Sequence, residues 1–182
     1  MTNVAVFVGS LRKASINHKL ALALAKLASP ETQFRIVELG DVPMFNQDLE
    51  ADLPAPVVRM KQEIASADGV LLVTPEYNRS FTPVLKNALD WGSRPYGHNI
   101  WKGKPVAMVG TSGSSVGTAA AQAALRPILP ILHMHLLSQP EVYLVWKEGL
   151  VDADHTVTDE GTRKFLANFV EKFEGWAKQF KI

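Results

Sequence analysis

The 182-residue chain contains no cysteine. Disulfide bonds, a thiolate nucleophile and cysteine-ligated metal ions are therefore excluded, and we expect a reducing, cytoplasmic location. The charges are balanced, with 19 Lys and Arg against 18 Asp and Glu, so no nucleic-acid partner is expected. The most apolar long window, 118–137, contains Arg126, two prolines and two histidines. A membrane-spanning helix would not place these residues at its centre, so we expect no membrane partner.

Several short motifs are also missing. Gly9 follows the first apolar segment without the further glycines of the Gly-x-Gly-x-x-Gly fingerprint, and no Walker Gly-Lys-Ser/Thr occurs anywhere in the chain. None of the five histidines has a partner at the i, i+4 spacing of a helical zinc motif. We therefore expect neither a dinucleotide-fold mode of cofactor binding nor a metal site.

Apolar segments alternate with amphipathic segments along the whole chain. The pattern predicts strands at 4–8, 34–38, 69–74, 106–109 and within 136–143, and helices at 16–27, 57–67, 82–91, after 117 and at 159–180. Continuously apolar strands joined by helices are typical of a parallel sheet covered on both faces. We expect one α/β domain spanning 1–182, a flavodoxin-like three-layer sandwich with a five-stranded sheet in the order 2-1-3-4-5.

Three polar loops follow predicted strands 1, 3 and 4, at 9–17, 75–78 and 110–117. In the flavodoxin-like order the chain reverses direction between strands 1 and 3, and ligands bind at the carboxyl ends of the strands there. The strand order alone therefore predicts that the three loops converge on one ligand site.

The first loop has the chemistry of a phosphate site. Ser10, Ser15 and Asn17 offer hydrogen bonds, and Arg12 offers a guanidinium for bidentate pairing. A helix begins directly after Ser15, and its unpaired N–H groups favour an anion. The alternative is a helix capped by Ser15 and preceded by a solvated basic turn.

The second loop, Pro75-Glu76-Tyr77-Asn78, is suited to a planar ring with a polar rim. Tyr77 offers a flat aromatic surface, while Asn78 and the backbone offer donors and acceptors for the edge of a heterocycle. The alternative is a Pro/Asn turn with the tyrosine packed on the sheet.

The third loop contains a Gly-x-Ser-x-Gly match at 113–117, centred on Ser115. A nucleophile elbow requires the serine immediately at the end of a strand, whereas Ser115 lies six residues after Val109. Asp152 and His155 follow in the chain order of a triad but are nearly adjacent. A serine hydrolase is therefore a weak alternative.

The chain resembles the NAD(P)H-dependent FMN reductase family, which includes bacterial quinone and chromate reductases and some azoreductases. The resemblance rests on GSLRKASIN at 9–17, DGVLLVTPEYN at 68–78 and LKNALDW at 85–91. It implies a flavodoxin-like fold that binds FMN non-covalently and takes NAD(P)H as co-substrate. By this resemblance, the phosphate is held by Ser10, Arg12, Ser15 and Asn17, the isoalloxazine is lined by Pro75, Glu76, Tyr77 and Asn78, and its other side is closed by Ser112 and Gly113.

The resemblance also implies a ping-pong oxidoreductase that passes hydride from NAD(P)H to bound FMN and then to a quinone, flavin, azo compound or metal oxyanion such as chromate. The flavin carries the chemistry, so no side chain is expected to act as a catalytic acid or base. Family members form homodimers or homotetramers, and Arg126 and Glu141 match positions near such contacts. Arg79 and Phe81 follow the second loop and are bulky enough to affect the choice of acceptor.

An FMN-binding electron carrier or redox sensor without NAD(P)H activity is the alternative within flavin proteins. Electron-carrying flavodoxins tend to be acidic, whereas this chain has a net charge of +1. The charge balance therefore favours the reductase.

Overall fold

A computed structural model of the chain describes residues 1–180. Along these residues the strands and helices are β1 Thr2–Val8, α1 Ile16–Leu27, β2 Thr32–Ile36, α2 Ala55–Ser66, β3 Gly69–Val73, α3 Pro83–Ser93, β4 Pro105–Ser112, α4 Ala119–Leu125, α5 Ile128–Ile131, β5 His135–Leu136, β6 Tyr143–Val145 and α6 Glu160–Gln179. The segment between β2 and α2 is irregular apart from a short 3-10 turn at Gln47–Leu49. None of the helices within the described residues is long and apolar enough to cross a membrane.

The strands form one parallel sheet in the order β2-β1-β3-β4-β5, which confirms the predicted flavodoxin-like order. The register pairs Val8 of β1 with Val73 of β3, and Val73 with Val109 of β4. The three central strands therefore reach the same edge of the sheet together. The loops that follow them start side by side, as the strand order predicted.

The sheet separates two hydrophobic cores. Successive strand residues point to opposite faces, so Phe7 packs in the core formed with α2 and α3, while Val6 packs in the core formed with α1 and α6. The central strands are buried on both faces, which explains their continuous apolar sequence. The three-layer arrangement is confirmed.

Three helices begin directly after polar side chains that cap them. The Ser15 hydroxyl accepts a hydrogen bond from the His18 N–H at 3.2 Å, and the Thr82 hydroxyl accepts one from the Leu85 N–H at 3.5 Å. The Asp159 carboxylate accepts from the Thr162 N–H at 2.7 Å at the start of α6. These bonds satisfy N–H groups that have no partner within the helix.

Two strand predictions at the end of the sheet were wrong. β4 continues through Ser112, so the third loop starts at Gly113 rather than at residue 110. The predicted fifth strand is divided: β5 pairs with the start of β4, and β6 pairs with Gly110–Ser112 at its end. Pro140 lies between β5 and β6 and has no N–H to donate to a strand ladder, so one unbroken strand through 136–143 is disfavoured.

Gly92 is the position in α3 where a side chain has no room. A methyl group there would meet the Trp101 ring within 2.2 Å. Trp101 is fully buried, and its indole N–H donates to the Leu89 carbonyl at 3.0 Å. The close approach of α3 to Trp101 therefore requires glycine.

We expect Gly92→Ala to lower the free energy of unfolding by about 1–3 kcal/mol, because the indole ring must move out of its packed position. The control is Gly175→Ala in α6, where nothing lies within 4 Å of the added methyl group. That change should raise stability by ~0.5–1 kcal/mol, since alanine is the better helix former. Urea unfolding of both variants checks the prediction, and equal midpoints would contradict it.

Candidate functional site

An open cleft with a volume of about 180 Å³ lies at the carboxyl ends of β1, β3 and β4. Nine of the ten predicted site residues line it: Ser10, Arg12, Ser15, Asn17, Pro75, Glu76, Tyr77, Ser112 and Gly113. Ile16 and Thr111, which sequence reasoning did not select, complete the lining. The remaining predicted residue, Asn78, is not part of the lining. The three loops do meet in one place.

The first loop presents hydrogen-bond donors to the cleft. The Ser15 hydroxyl accepts from the His18 N–H, which leaves its own proton free to donate. Ile16 and Asn17 occupy the first turn of α1, where N–H groups lack intrahelical partners and the helix dipole is positive. Within residues 1–180 the Arg12 guanidinium makes no ion pair or hydrogen bond, and it is exposed. These donors fit a phosphate monoester.

The side chain of Asn17 is engaged elsewhere. It is 1% exposed. Its Nδ2 donates to the Thr111 carbonyl at 2.9 Å, and its Oδ1 accepts from the Thr111 N–H at 3.0 Å. The amide therefore joins the start of α1 to the end of β4, and what Asn17 offers the cleft is its backbone N–H.

The second loop turns back on itself immediately after the cleft. The backbone groups of Tyr77 and Ser80 exchange two hydrogen bonds, at 2.9 and 3.0 Å. The two residues between them, Asn78 and Arg79, have φ values of 51° and 66°. Asparagine tolerates this left-handed conformation, whereas arginine adopts it at a cost. The turn leaves Tyr77 at the cleft wall, 48% exposed.

Glu76 connects the second loop to α4. Its Oε2 accepts from the N–H groups of Ala120 and Ala121 at 3.1 and 3.2 Å, and its Oε1 accepts from Arg79 Nη1 at 3.2 Å. The carboxylate thus caps the start of α4, a favourable place for a negative charge. Thr118, the residue immediately before α4, has a φ of 94°, which is rare for a β-branched residue. Glu76 holds this strained helix start in place.

Four further residues singled out in the sequence have defined partners. Arg126 and Glu141 form an ion pair with each other at 2.6 Å. Phe81 packs against the core under α3, and Arg79 pairs with Glu76 across the turn. None of these four lines the cleft.

The serine hydrolase alternative lacks its geometry. Ser115 is exposed in the third loop. The Asp152 carboxylate accepts from the N–H groups of Asp154 and Thr156 at 2.9 and 2.8 Å. Across residues 1–180 no hydrogen bond joins Ser115 to His155 or His155 to the Asp152 carboxylate. The nucleophile, base and orienting acid of a triad are therefore not assembled.

Comparison with known proteins identifies the family. The model of the NADPH-dependent FMN reductase family matches residues 2–147. The chain is 47% identical over 179 residues to a 2-hydroxy-1,4-benzoquinone reductase of Burkholderia sp, covering 98% of each chain. It is 46% identical over 177 residues to a quinone reductase of Pseudomonas putida, covering 97% of this chain and 95% of that protein.

A solved structure is similar throughout. The flavoenzyme NAD(P)H:(acceptor) oxidoreductase (FerB) from Paracoccus denitrificans superimposes with a TM-score of 0.96 at 48% identity, covering 100% of both chains. The family match, the identities and the fold agree. The chain belongs to the NADPH-dependent FMN reductase family and is an oxidoreductase that depends on FMN and NAD(P)H.

Proposed function

We propose that the cleft binds FMN non-covalently and that the protein reduces a quinone at the expense of NAD(P)H. The observation that carries this proposal is the convergence of nine predicted flavin-binding residues on one cleft. Two relatives above 45% identity are named for quinone reduction, which supports the choice of acceptor class.

The phosphate of FMN is assigned to the first loop. Arg12 supplies a charge-assisted, bidentate contact, and Ser10 and Ser15 supply hydroxyl groups. The backbone N–H groups of Ile16 and Asn17 point along the axis of α1 towards the same end. The Asn17 side chain acts indirectly, because it fixes the helix start against β4.

The isoalloxazine ring is assigned to the space between the second and third loops. Pro75 and Tyr77 form one wall, and Ser112 and Gly113 form the other. Gly113 has nothing within 4 Å of the position where a side chain would begin, so a planar ring can approach the backbone there. Glu76 keeps the two loops at a fixed separation through its bonds to α4.

FMN held by these residues would supply the redox chemistry: it would take hydride from NAD(P)H and pass two electrons to the quinone, whose reduction to hydroquinone also takes up protons from solvent. The residues of the cleft bind and orient the reactants, and the nine that were predicted include no histidine, lysine or cysteine. The open cleft leaves one side accessible, so a nicotinamide and a quinone can occupy it in turn. The protein then contributes to hydride transfer and acceptor reduction mainly by positioning the reactants, and not by donating or accepting protons.

The experiment that tests the proposal is an anaerobic absorption spectrum of the purified, FMN-loaded protein before and after NADPH or NADH, followed by a benzoquinone. Flavin bands that bleach with the nicotinamide and return with the quinone are expected. Bands that persist with both nicotinamides would indicate the electron carrier instead. If the bleached bands did not return with the quinone but returned with free flavin, an azo dye or chromate, that compound rather than a quinone would be the acceptor.

We expect Arg12→Ala to weaken FMN binding by about 10- to 100-fold, the effect of losing a charge-assisted hydrogen bond worth ~1.5–3 kcal/mol. Titration of the apoprotein with FMN, followed by quenching of flavin fluorescence, measures the change. Lys19→Ala is the matched control, since Lys19 is an exposed cation on α1 that does not line the cleft. An unchanged dissociation constant for Arg12→Ala would show that Arg12 of the first loop does not bind the FMN phosphate.

We expect Tyr77→Ala to lower kcat/KM for NAD(P)H by about 2- to 10-fold, because the ring loses a stacking surface worth ~0.5–1.5 kcal/mol. Tyr77→Phe keeps the aromatic surface and should stay close to the wild type. Steady-state rates and the flavin spectrum of both variants check this. If Phe and Ala reduced the rate equally, the hydroxyl group rather than the ring face would be what matters.

We further propose that the protein assembles as a homodimer or homotetramer in the cytoplasm. Tyr96 is 90% exposed and Met44 is 70% exposed, and aromatic residues and methionine are enriched at subunit interfaces. Size-exclusion chromatography with light scattering gives the assembly state. The lack of cysteine is compatible with a reducing compartment.

A further inference from the structure

A second groove adjoins the cleft on the side of β2. It has a volume of about 260 Å³ and is called here the β2-side groove. Its walls are the β1–α1 loop and the segment that follows β2: Val8, Ser10, Leu11, Arg12, Lys13, His18, Ile36, Val37, Glu38, Leu39 and Gly40. Ser10 and Arg12 line both the groove and the cleft. The groove therefore borders the end of the cleft that is assigned to the FMN phosphate.

The groove carries unpaired basic side chains. Lys13 and His18 are exposed, and in the part of the chain that the structure describes neither side chain makes an ion pair or a hydrogen bond. Arg12 belongs to the phosphate site of the cleft, so Lys13 and His18 are the basic groups left for a second anion. Such groups favour a phosphate.

One acidic residue, Glu38, faces the same groove. Its Oε1 accepts from the Gly40 N–H at 2.7 Å, which fixes the carboxylate just beyond the end of β2. Its Oε2 makes no hydrogen bond within residues 1–180. A fixed carboxylate oxygen without a donor is suited to a sugar hydroxyl, whereas it would repel a phosphate placed directly against it.

Apolar side chains complete the groove. Leu11 is 56% exposed and Ile36 is 36% exposed, and both lie on its walls with Leu39. Exposed leucine and isoleucine offer a surface on which a flat base can pack. The groove thus combines the chemistry for a phosphate, a sugar hydroxyl and a heterocyclic base in one place.

We propose that the β2-side groove binds the adenosine end of NAD(P)H, with Lys13 and His18 holding the 2′-phosphate of NADPH and Glu38 accepting from a ribose hydroxyl. This inference rests on the proposed function, in which the nicotinamide end occupies the cleft. Ser10 and Arg12, which hold the FMN phosphate on the cleft side, also line the groove, so a dinucleotide that extends from the nicotinamide across the bound flavin can reach it. NADPH is then the preferred co-substrate, because NADH lacks the group that Lys13 and His18 bind.

The direct test is calorimetric titration of the FMN-loaded protein with adenosine 2′,5′-bisphosphate and with 5′-AMP. We expect the bisphosphate to bind at least ~10-fold more tightly, the effect of one charge-assisted contact. Lys13→Ala and the double variant Lys13→Ala/His18→Ala should progressively remove that difference. Lys19→Ala, an exposed cation on the same helix outside the groove, should keep it.

The second measurement is steady-state kcat/KM with NADPH and with NADH. Lys13→Ala should lower the value for NADPH by ~10-fold and leave NADH within about twofold, with unchanged flavin content. Lys13→Glu should reverse the preference, since it places a negative charge where the 2′-phosphate binds. Equal losses with both co-substrates would overturn the proposal, as would equal affinity of the wild type for the two adenosine nucleotides.

The two proposals fail in different ways. If the bound flavin were reduced by neither NADPH nor NADH while the bisphosphate bound selectively through Lys13, the reductase function would fail and the groove would remain an adenosine phosphate site. If the flavin were reduced normally and the Lys13 variants discriminated as the wild type does, only the groove assignment would fail.

Discussion

Two hydrogen bonds between the Asn17 side chain and the backbone of Thr111 fix the geometry on which the cleft depends. They join the start of α1, which follows β1, to the end of β4, which lies two strands away. A side-chain amide offers one donor and one acceptor in the same spacing as a peptide group, so it can satisfy both groups of Thr111. Aspartate lacks the donor, and an apolar residue would leave buried backbone groups unpaired at a cost of ~1–3 kcal/mol.

Glu76 provides the corresponding connection between the second loop and α4. Its side chain is 9% exposed, and the carboxylate accepts from two N–H groups at the start of α4. Together with Asn17, it links all three loops by polar bonds that do not require a ligand. The walls of the cleft are thus positioned before a ligand binds, which lowers the entropic cost of binding. Thr118 retains its unusual backbone conformation because these bonds over-determine the start of α4.

The sequence predicted the features that depend on local pattern. Strand order followed from the alternation of apolar strands with helices, and the starts of α1 and α3 were predicted at Ser15 and Thr82. The division of the fifth strand was not predictable in this way, because β6 exists only through pairing with Gly110–Ser112. The sequence Gly-Thr-Ser at 110–112 is typical of a loop, and it is a strand here because Tyr143–Val145 pairs with it. The roles of the Asn17 and Glu76 side chains likewise depend on partners that lie 94 and 44 or more residues away.

Two partly buried lysines elsewhere in the chain stabilise the scaffold. Burial lowers the pKa of Lys61 and of Lys104 below the usual lysine value. Lys61 donates to the Trp91 carbonyl at 3.3 Å in the last turn of α3, and Lys104 donates to the Ala65 carbonyl at 3.0 Å in the last turn of α2. A cation at a helix C-terminus satisfies free carbonyl groups and complements the dipole. These lysines stabilise α3 and α2, while the cleft is lined by neutral side chains, Glu76 and Arg12. That division suits an enzyme whose cofactor carries the chemistry, because the protein then has to hold and orient reactants and has no need of a buried acid or base at the reacting atoms.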